Sequence, residues 1–245
     1  MISRGGFVVA TLVLSRVAGA DDAVPDPLAI QIHGFVSQGA LLTSDNNYLA
    51  RDEHGSLEFT EAGINFTKPL DDQLTVGVQL FARDLGPDGN YSAKFDWLDL
   101  DYHWKDWLGF RAGRVKIPFG LYNDTSDIDA AQPVALLPQS VYPETNRDFL
   151  LAQTGVDLYG YVPIEAGGAI SYEAYAGTLY LSFPATASAS FSNIHVPYIT
   201  GGRLMWETPI DGLRFAASGL AGEIDADYQL VGQPGPIPIT LIAKE

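Results

Sequence analysis

The sequence predicts an all-β chain, an antiparallel transmembrane β-barrel, on three observations. Nine segments alternate apolar with polar residues, roughly 28–41, 56–67, 74–84, 94–104, 108–117, 149–162, 168–180, 197–207 and 213–223. The connections between them run short, long, short, long, as in a barrel with tight turns at one rim and long loops at the other. Aromatic residues gather at segment ends, and amphipathic rings favour the headgroup level of a bilayer. A soluble sandwich has no reason to sort its loop lengths by parity.

Taken in order, the elements follow from a side-chain period of two. The first sets Ile30, Ile32, Val36 and Ala40 on one face and Gln31, His33, Ser37 and Gly39 on the other. The second leads into the tight turn Lys68 to Gln73, and the third opposes Leu74, Val76, Val78, Leu80 and Ala82 to Thr75, Gln79 and Arg83. The fourth opposes Leu98, Leu100, Tyr102 and Trp104 to Trp97, Asp99, Asp101 and His103 before the turn Lys105-Asp106-Trp107. The fifth carries Leu108, Phe110 and Ala112 on its apolar face, and the sixth ends at Tyr161 before the turn Pro163 to Gly167. The seventh opposes Ile170, Tyr172, Ala174 and Ala176 to Ser171, Glu173 and Tyr175, and the turn Thr208 to Gly212 joins the last two. Trp104, Trp107, Tyr161 and Trp206 are the expected aromatic girdle.

The ends of the chain bear on its address. Arg4, the apolar run Gly6 to Leu14 and the small residues Ala18-Gly19-Ala20 have the form of a cleavable signal peptide over 1–20, too short to span a bilayer as a helix. Residues 21–245 are then one barrel domain in the outer membrane. Removing Arg4 and Arg16 makes the mature chain two charges more acidic than the net −16 of the full sequence. Nine strands would end on the external side, and Ile239 to Glu245 could begin a tenth. A barrel closes with an even strand count, so a C-terminal portion is expected to be missing. The acid balance argues against nucleic acid, which selects Lys and Arg patches. It suits external loops that hold divalent cations between lipopolysaccharides, and equally plain solubility. No cysteine is present, which excludes disulfides and thiolate metal sites.

Connection 118–148 is much the longest, and connections beyond about 12–15 residues are usually functional. It carries Asp124, Asp127 and Asp129, then the apolar run Pro133 to Pro138, which water alone does not explain. Packing against the inner wall would. Just before it, strict alternation would turn Arg114 and Lys116 toward lipid with Phe110 and Ala112. Either a β-bulge near Gly113 turns Arg111, Arg114 and Lys116 all inward, or the last two snorkel to the external headgroups. In the first case, basic wall residues face an acidic loop across a constriction.

The stretch Trp104 to Asn123 (WKDWLGFRAGRVKIPFGLYN) and the block Leu136 to Asp148 (LLPQSVYPETNRD) resemble Gram-negative outer-membrane porins, in the broad group that includes phosphate-selective-type porins. The resemblance covers roughly 28–223, the N-terminal part of such a protein. It implies a barrel of sixteen or eighteen strands, a homotrimer, and passive diffusion of ions and small hydrophilic solutes. It also implies an inward-folded third loop as eyelet, with Arg111, Arg114 and Lys116 on the basic wall and Asp124, Asp127 and Asp129 in the loop. The acid balance departs from the anion-selective members, which leaves the solute open.

Catalysis and metal binding find little footing. The four histidines, His33, His54, His103 and His195, form no metal motif. Asp99, Asp101 and His103 alternate along one face, a spacing that could hold a divalent cation but reads first as the wall of a water-filled lumen. His33 and Ser37 share a face but lie about 13 Å apart at ~3.3 Å per residue, too far for a nucleophile and base. No enzyme, cofactor or metal is expected. Two other classes remain open: a barrel adhesin or structural protein without an open channel, and a soluble secreted sandwich.

Overall fold

The computed structural model describes residues 8–12, 30–43, 47–86, 88–125, 136–142, 144, 147–181, 189–230 and 237–244. Asp127, Asp129 and the run 133–135 lie outside them. The chain is all-β: β1 (Val8–Leu12), β2 (Gln31–Ala40), β3 (Phe59–Pro69), β4 (Leu74–Leu85), β5 (Lys94–Lys105), β6 (Leu108–Lys116), β7 (Ala152–Ile164), β8 (Gly168–Thr178), β9 (Ala189–Glu207), β10 (Arg214–Leu230) and β11 (Ile237–Lys244). Short 3-10 turns at Asn123–Thr125 and Glu165–Gly167 and the single helical turn α1 (Arg147–Leu150) complete it. The strands pair in chain order, from β1 to β11, with no ring closure among the described residues.

Strands β2 to β10 fall on the nine alternating segments. β11 occupies the stretch expected to begin a tenth and pairs antiparallel with β10, Ile237 beside Tyr228. β1 lies inside the apolar run expected as a leader and pairs with β2 from Val8–Ala40 to Leu12–Val36. Cleavage after Ala20 would remove it and leave β2 as an edge. The tight turns are held locally: the Asp71 carboxylate accepts the backbone N–H groups of Gln73 and Leu74, both at 2.8 Å, closing β3 onto β4.

The chain divides into two units, residues 1–100 with 125–147, and residues 101–124 with 148–245. In the first, β4 buries Gly77, Gln79, Phe81, Arg83 and Leu85, while Val76, Val78, Leu80 and Ala82 on its other face stay half-exposed. Leu98 and Leu100 of β5 are 47% and 42% exposed, whereas Gln79 and Asp96 are all but sealed. Water would select the reverse, an apolar face packed and a polar face wet. Gly77 makes room for an inward aromatic: a Cβ there would lie 2.5 Å from Trp97 Cζ3. Asp96, which accepts a hydrogen bond from Gln79 Nε2, and its neighbour Trp97 thus both serve the face of Gly77 and Gln79.

In the second unit the same inversion recurs. Phe110, Val156, Leu204 and Phe215 are exposed, and Gln153, Asp157 and Arg203 are buried. Trp104 and Trp107 meet with ring centroids 5.7 Å apart, and Trp206 stacks on Phe215 at 5.9 Å, all beside tight turns. Tyr161 differs from the girdle expectation, since its strand position shares a face with Asp157 and Tyr159. The bulge expected near Gly113 is also absent. Register runs unbroken from Gly109–Tyr159 to Lys116–Ala152, so Gly113 takes up the local distortion as backbone conformation, at φ 132°, with no inserted residue. Arg114 and Lys116 therefore both stand at the parity opposite Arg111, and Lys116 reaches the Asp124 carbonyl only from the end of its strand.

Candidate functional site

Register alone assembles the charged wall of the second unit. It sets Arg111 beside Asp157, Tyr159 beside Glu173, and Glu173 beside Arg203, all at the same parity across β6, β7, β8 and β9. Gly109 leaves the space that the Tyr159 ring fills, since a Cβ there would sit 2.2 Å from Tyr159 Cζ. The ring in turn lies under the Arg111 guanidinium, 4.1 Å from its carbon, while its hydroxyl donates to Asp101 Oδ1 at 2.6 Å. Arg111 is thereby held flat with its nitrogens aimed along the wall.

Each guanidinium there is shared among carboxylates. Arg111 Nε donates to Asp101 Oδ2 and its Nη1 to Asp157 Oδ2, both at 3.2 Å, with Glu173 Oε2 at 3.8 Å. Arg203 Nη2 donates to Glu173 Oε1 at 2.5 Å and to Asp124 Oδ2 at 2.6 Å. Arginine suits these positions because its planar fork satisfies two acceptors at once. Glu173 joins the two guanidiniums into one network.

The two ends of the long connection, residues 117–124 and 149–151, lie on this face. Ile117 is sealed against Tyr175, Leu179, Val196, Ile199 and Leu220, with Phe119 and Phe149 packed alongside. The Gly120 N–H donates to Ser218 Oγ at 3.0 Å, and the Gly120 carbonyl accepts from Arg203 Nη1 at 3.2 Å. Asn123 Nδ2 bridges the carbonyls of Ile117 and Leu150, both at 2.7 Å, which pins the loop's two ends to one another. Lys116 Nζ donates to the Asp124 carbonyl at 2.8 Å.

In the first unit the connection's later residues dock in the same manner. Leu136 packs on Leu41, Leu49, Ala50, Phe59 and Leu85. Arg147 forks onto Asp96 at 2.7 and 3.0 Å and lies 4.1 Å over the Phe81 ring. Arg83 pairs with Asp88 and reaches Glu144. Leu136, from the apolar run that water alone does not explain, is therefore spent on packing.

Of the expected constriction residues, Arg111 and Asp124 enter one network, through Glu173 and Arg203. Lys116 touches Asp124 by its backbone, and Arg114 stands on the other face. Asp157, Tyr159 and Arg203 were not singled out in the sequence, and Asp101 and Glu173 were placed on their faces without being joined to Arg111. Their signal was present as charged or phenolic residues at inward parity on consecutive strands, but only the register between strands says which ones meet. His103 stands at the edge of the same face, stacked on Tyr159 at 6.3 Å. Beside it a cavity of about 360 Å³ is lined by Arg111, Tyr159, Tyr161 and Glu173 among others. No family model matches this chain, and neither a curated protein nor a solved structure is similar to it.

Proposed function

We propose that this chain forms the wall of an outer-membrane β-barrel channel of porin type, through which ions and small hydrophilic solutes diffuse past the 117–151 connection. One observation carries the proposal: the strand faces are inverted. Val156 at 57%, Leu204 at 55% and Phe215 at 56% stand exposed, while Asp157 at 2% and Arg203 at 9% are buried, Arg203 against Gly120 and Asp124 of the connection. Hydrocarbon stabilises such an outer face, and charged wall residues belong on the side of a lumen. The porin resemblance of 104–123 and 136–148 supports the same reading and adds its homotrimer. The exposed apolar faces would then meet lipid, lipopolysaccharide and neighbouring copies, in the outer membrane after export.

The test is electrical. The complete protein, extracted in detergent and added to planar bilayers, should give discrete conductance steps. Persistent solubility without detergent, with no steps, would refute the channel.

A specific observation favours the second reading, a non-conducting barrel adhesin or structural protein. The apolar cluster around Ile117, Tyr175 and Leu220, with Phe119 and Phe149, fills part of the charged face with side chains rather than leaving it to water. Membrane insertion without conductance is the outcome that would select it.

A further inference from the structure

We infer that the charged network makes this channel prefer cations to anions, a deepening that rests on the channel reading above. The sequence alone suggested a basic wall of Arg111, Arg114 and Lys116. The structure replaces that with a wall whose guanidiniums are already taken.

The charge count comes first. In the second unit Arg111 and Arg203 share Asp101, Asp157, Glu173 and Asp124. Lys116, bonded to the Asp124 carbonyl, brings the cations to three against four carboxylates. In the first unit Arg83 and Arg147 pair with Asp88, Glu144 and Asp96, and Glu61 is the register partner of Arg83. Two guanidiniums there face four carboxylates. Each unit, taken by itself, is net acidic.

Accessibility points the same way. The side chains of Arg203, Arg83 and Arg147 are 7%, 8% and 9% exposed, against 42% for Asp124, 35% for Asp88 and 29% for Asp101. Asp157, Asp96, Glu144 and Glu173 are buried with the guanidiniums, at 1%, 2%, 12% and 16%, so the charges open to a passing solute are those of Asp124, Asp88 and Asp101 beside Arg111. An anion seeking Arg203 would have to displace Glu173 or Asp124 from 2.5 and 2.6 Å. Arg111, at 28% exposed, is the most open of these four guanidiniums, and it carries three carboxylates already.

An independent observation concerns the buried oxygens. Asp157 Oδ1 and the Tyr175 hydroxyl, on residues 2% and 4% exposed, have no hydrogen-bond partner, and the two residues are register neighbours. Gln153 Oε1, on the same strand face, is likewise without one. Buried polar atoms left unsatisfied are costly, and the Asp157 and Gln153 oxygens, which only accept, favour a positively charged or hydrogen-donating occupant nearby. Wall charge of one sign in a confined passage raises the local concentration of the opposite ion.

The experiment is a reversal potential for the complete protein in planar bilayers under a tenfold KCl gradient. A potassium-to-chloride permeability ratio above one is expected. The double variant Asp101→Asn, Asp124→Asn should lower it, because each change removes an accessible charge while Arg111 keeps Asp157 and Glu173, and Arg203 keeps Glu173. Raising both solutions toward 1 M should shrink the difference, as the Debye length falls from ~10 Å at 0.1 M to ~3 Å. Conductance with a parent ratio at or below one overturns the cation preference and leaves the channel standing. A parent ratio above one that the variant leaves unchanged overturns the assignment to this network. Absence of any conductance overturns channel and preference together. The parent measurement decides the sign even should the double variant fail to assemble.

Discussion

Leu100→Arg and Val156→Arg distinguish lipid from water around the exposed faces, because the two solvents assign them different costs. Both side chains stand open, at 42% and 57%. In water an arginine at such a position changes stability by no more than about 0.5 kcal/mol. In a bilayer the cost is ~2–4 kcal/mol at the midplane and ~0–1 near the interfaces. Depth can be worked from the strands. Leu100 lies five residues from the end of β5 at Lys105, about 17 Å along the strand and roughly 12 Å in height at a ~45° tilt, the middle of a ~25 Å apolar band. Val156 lies eight residues from the end of β7 at Ile164, roughly 19 Å in height and so nearer the far interface. Leu100→Arg should therefore lose the full ~2–4 kcal/mol, about 30- to 700-fold in the folding constant. Val156→Arg should lose roughly half that energy. Urea titration of folding into phosphocholine vesicles, followed by tryptophan fluorescence, measures both. Near-zero shifts at both positions, or a larger one at Val156, would falsify the bilayer assignment.

Three further outcomes follow from the geometry. Arg203→Met removes the tie between Glu173, Asp124 and the Gly120 carbonyl; with Arg111 still 3.8 Å from Glu173, the loss should be near the low end for a broken buried pair, about 3 kcal/mol, and single-channel conductance should rise as the connection loosens. Unchanged urea midpoint and conductance would show that the connection is held elsewhere. Gly77→Val must evict Trp97, whose ring would otherwise lie 2.5 Å from the new Cβ, so roughly 1–3 kcal/mol of overpacking is expected in the same titration, and a neutral result would mean that Trp97 does not occupy that face. Cysteines placed at Asn47 and Gly89, in long connections, should react with an impermeant thiol reagent on intact cells, whereas cysteines at Asp106 and Asp211, in tight turns, should not; the reverse pattern would invert the topology.

Strand identity was legible because a period of two survives in sequence whatever the solvent, and Pro, Gly and Asp mark the turns. What a single strand cannot disclose is which neighbour its charges meet. Arg111, Glu173 and Arg203 each read as an isolated charge at inward parity, yet register brings them within one network of 2.5–3.8 Å contacts. Parity itself was misjudged at Arg114, where an inward cation seemed to require a bulge. Gly113 absorbs the distortion in its backbone at φ 132° without an inserted residue, a solution open to glycine that leaves no mark in the hydrophobic pattern. The loop shows the complementary limit. Its apolar residues announced that it must pack, but the anchors Ser218, Arg203 and Asp96 come from strands about fifty to a hundred positions away, and only the folded register puts them beneath it. The charge of the wall follows from the same fact. In the second unit four carboxylates, Asp101, Asp124, Asp157 and Glu173, share the guanidiniums of Arg111 and Arg203, so the balance of that network is acid.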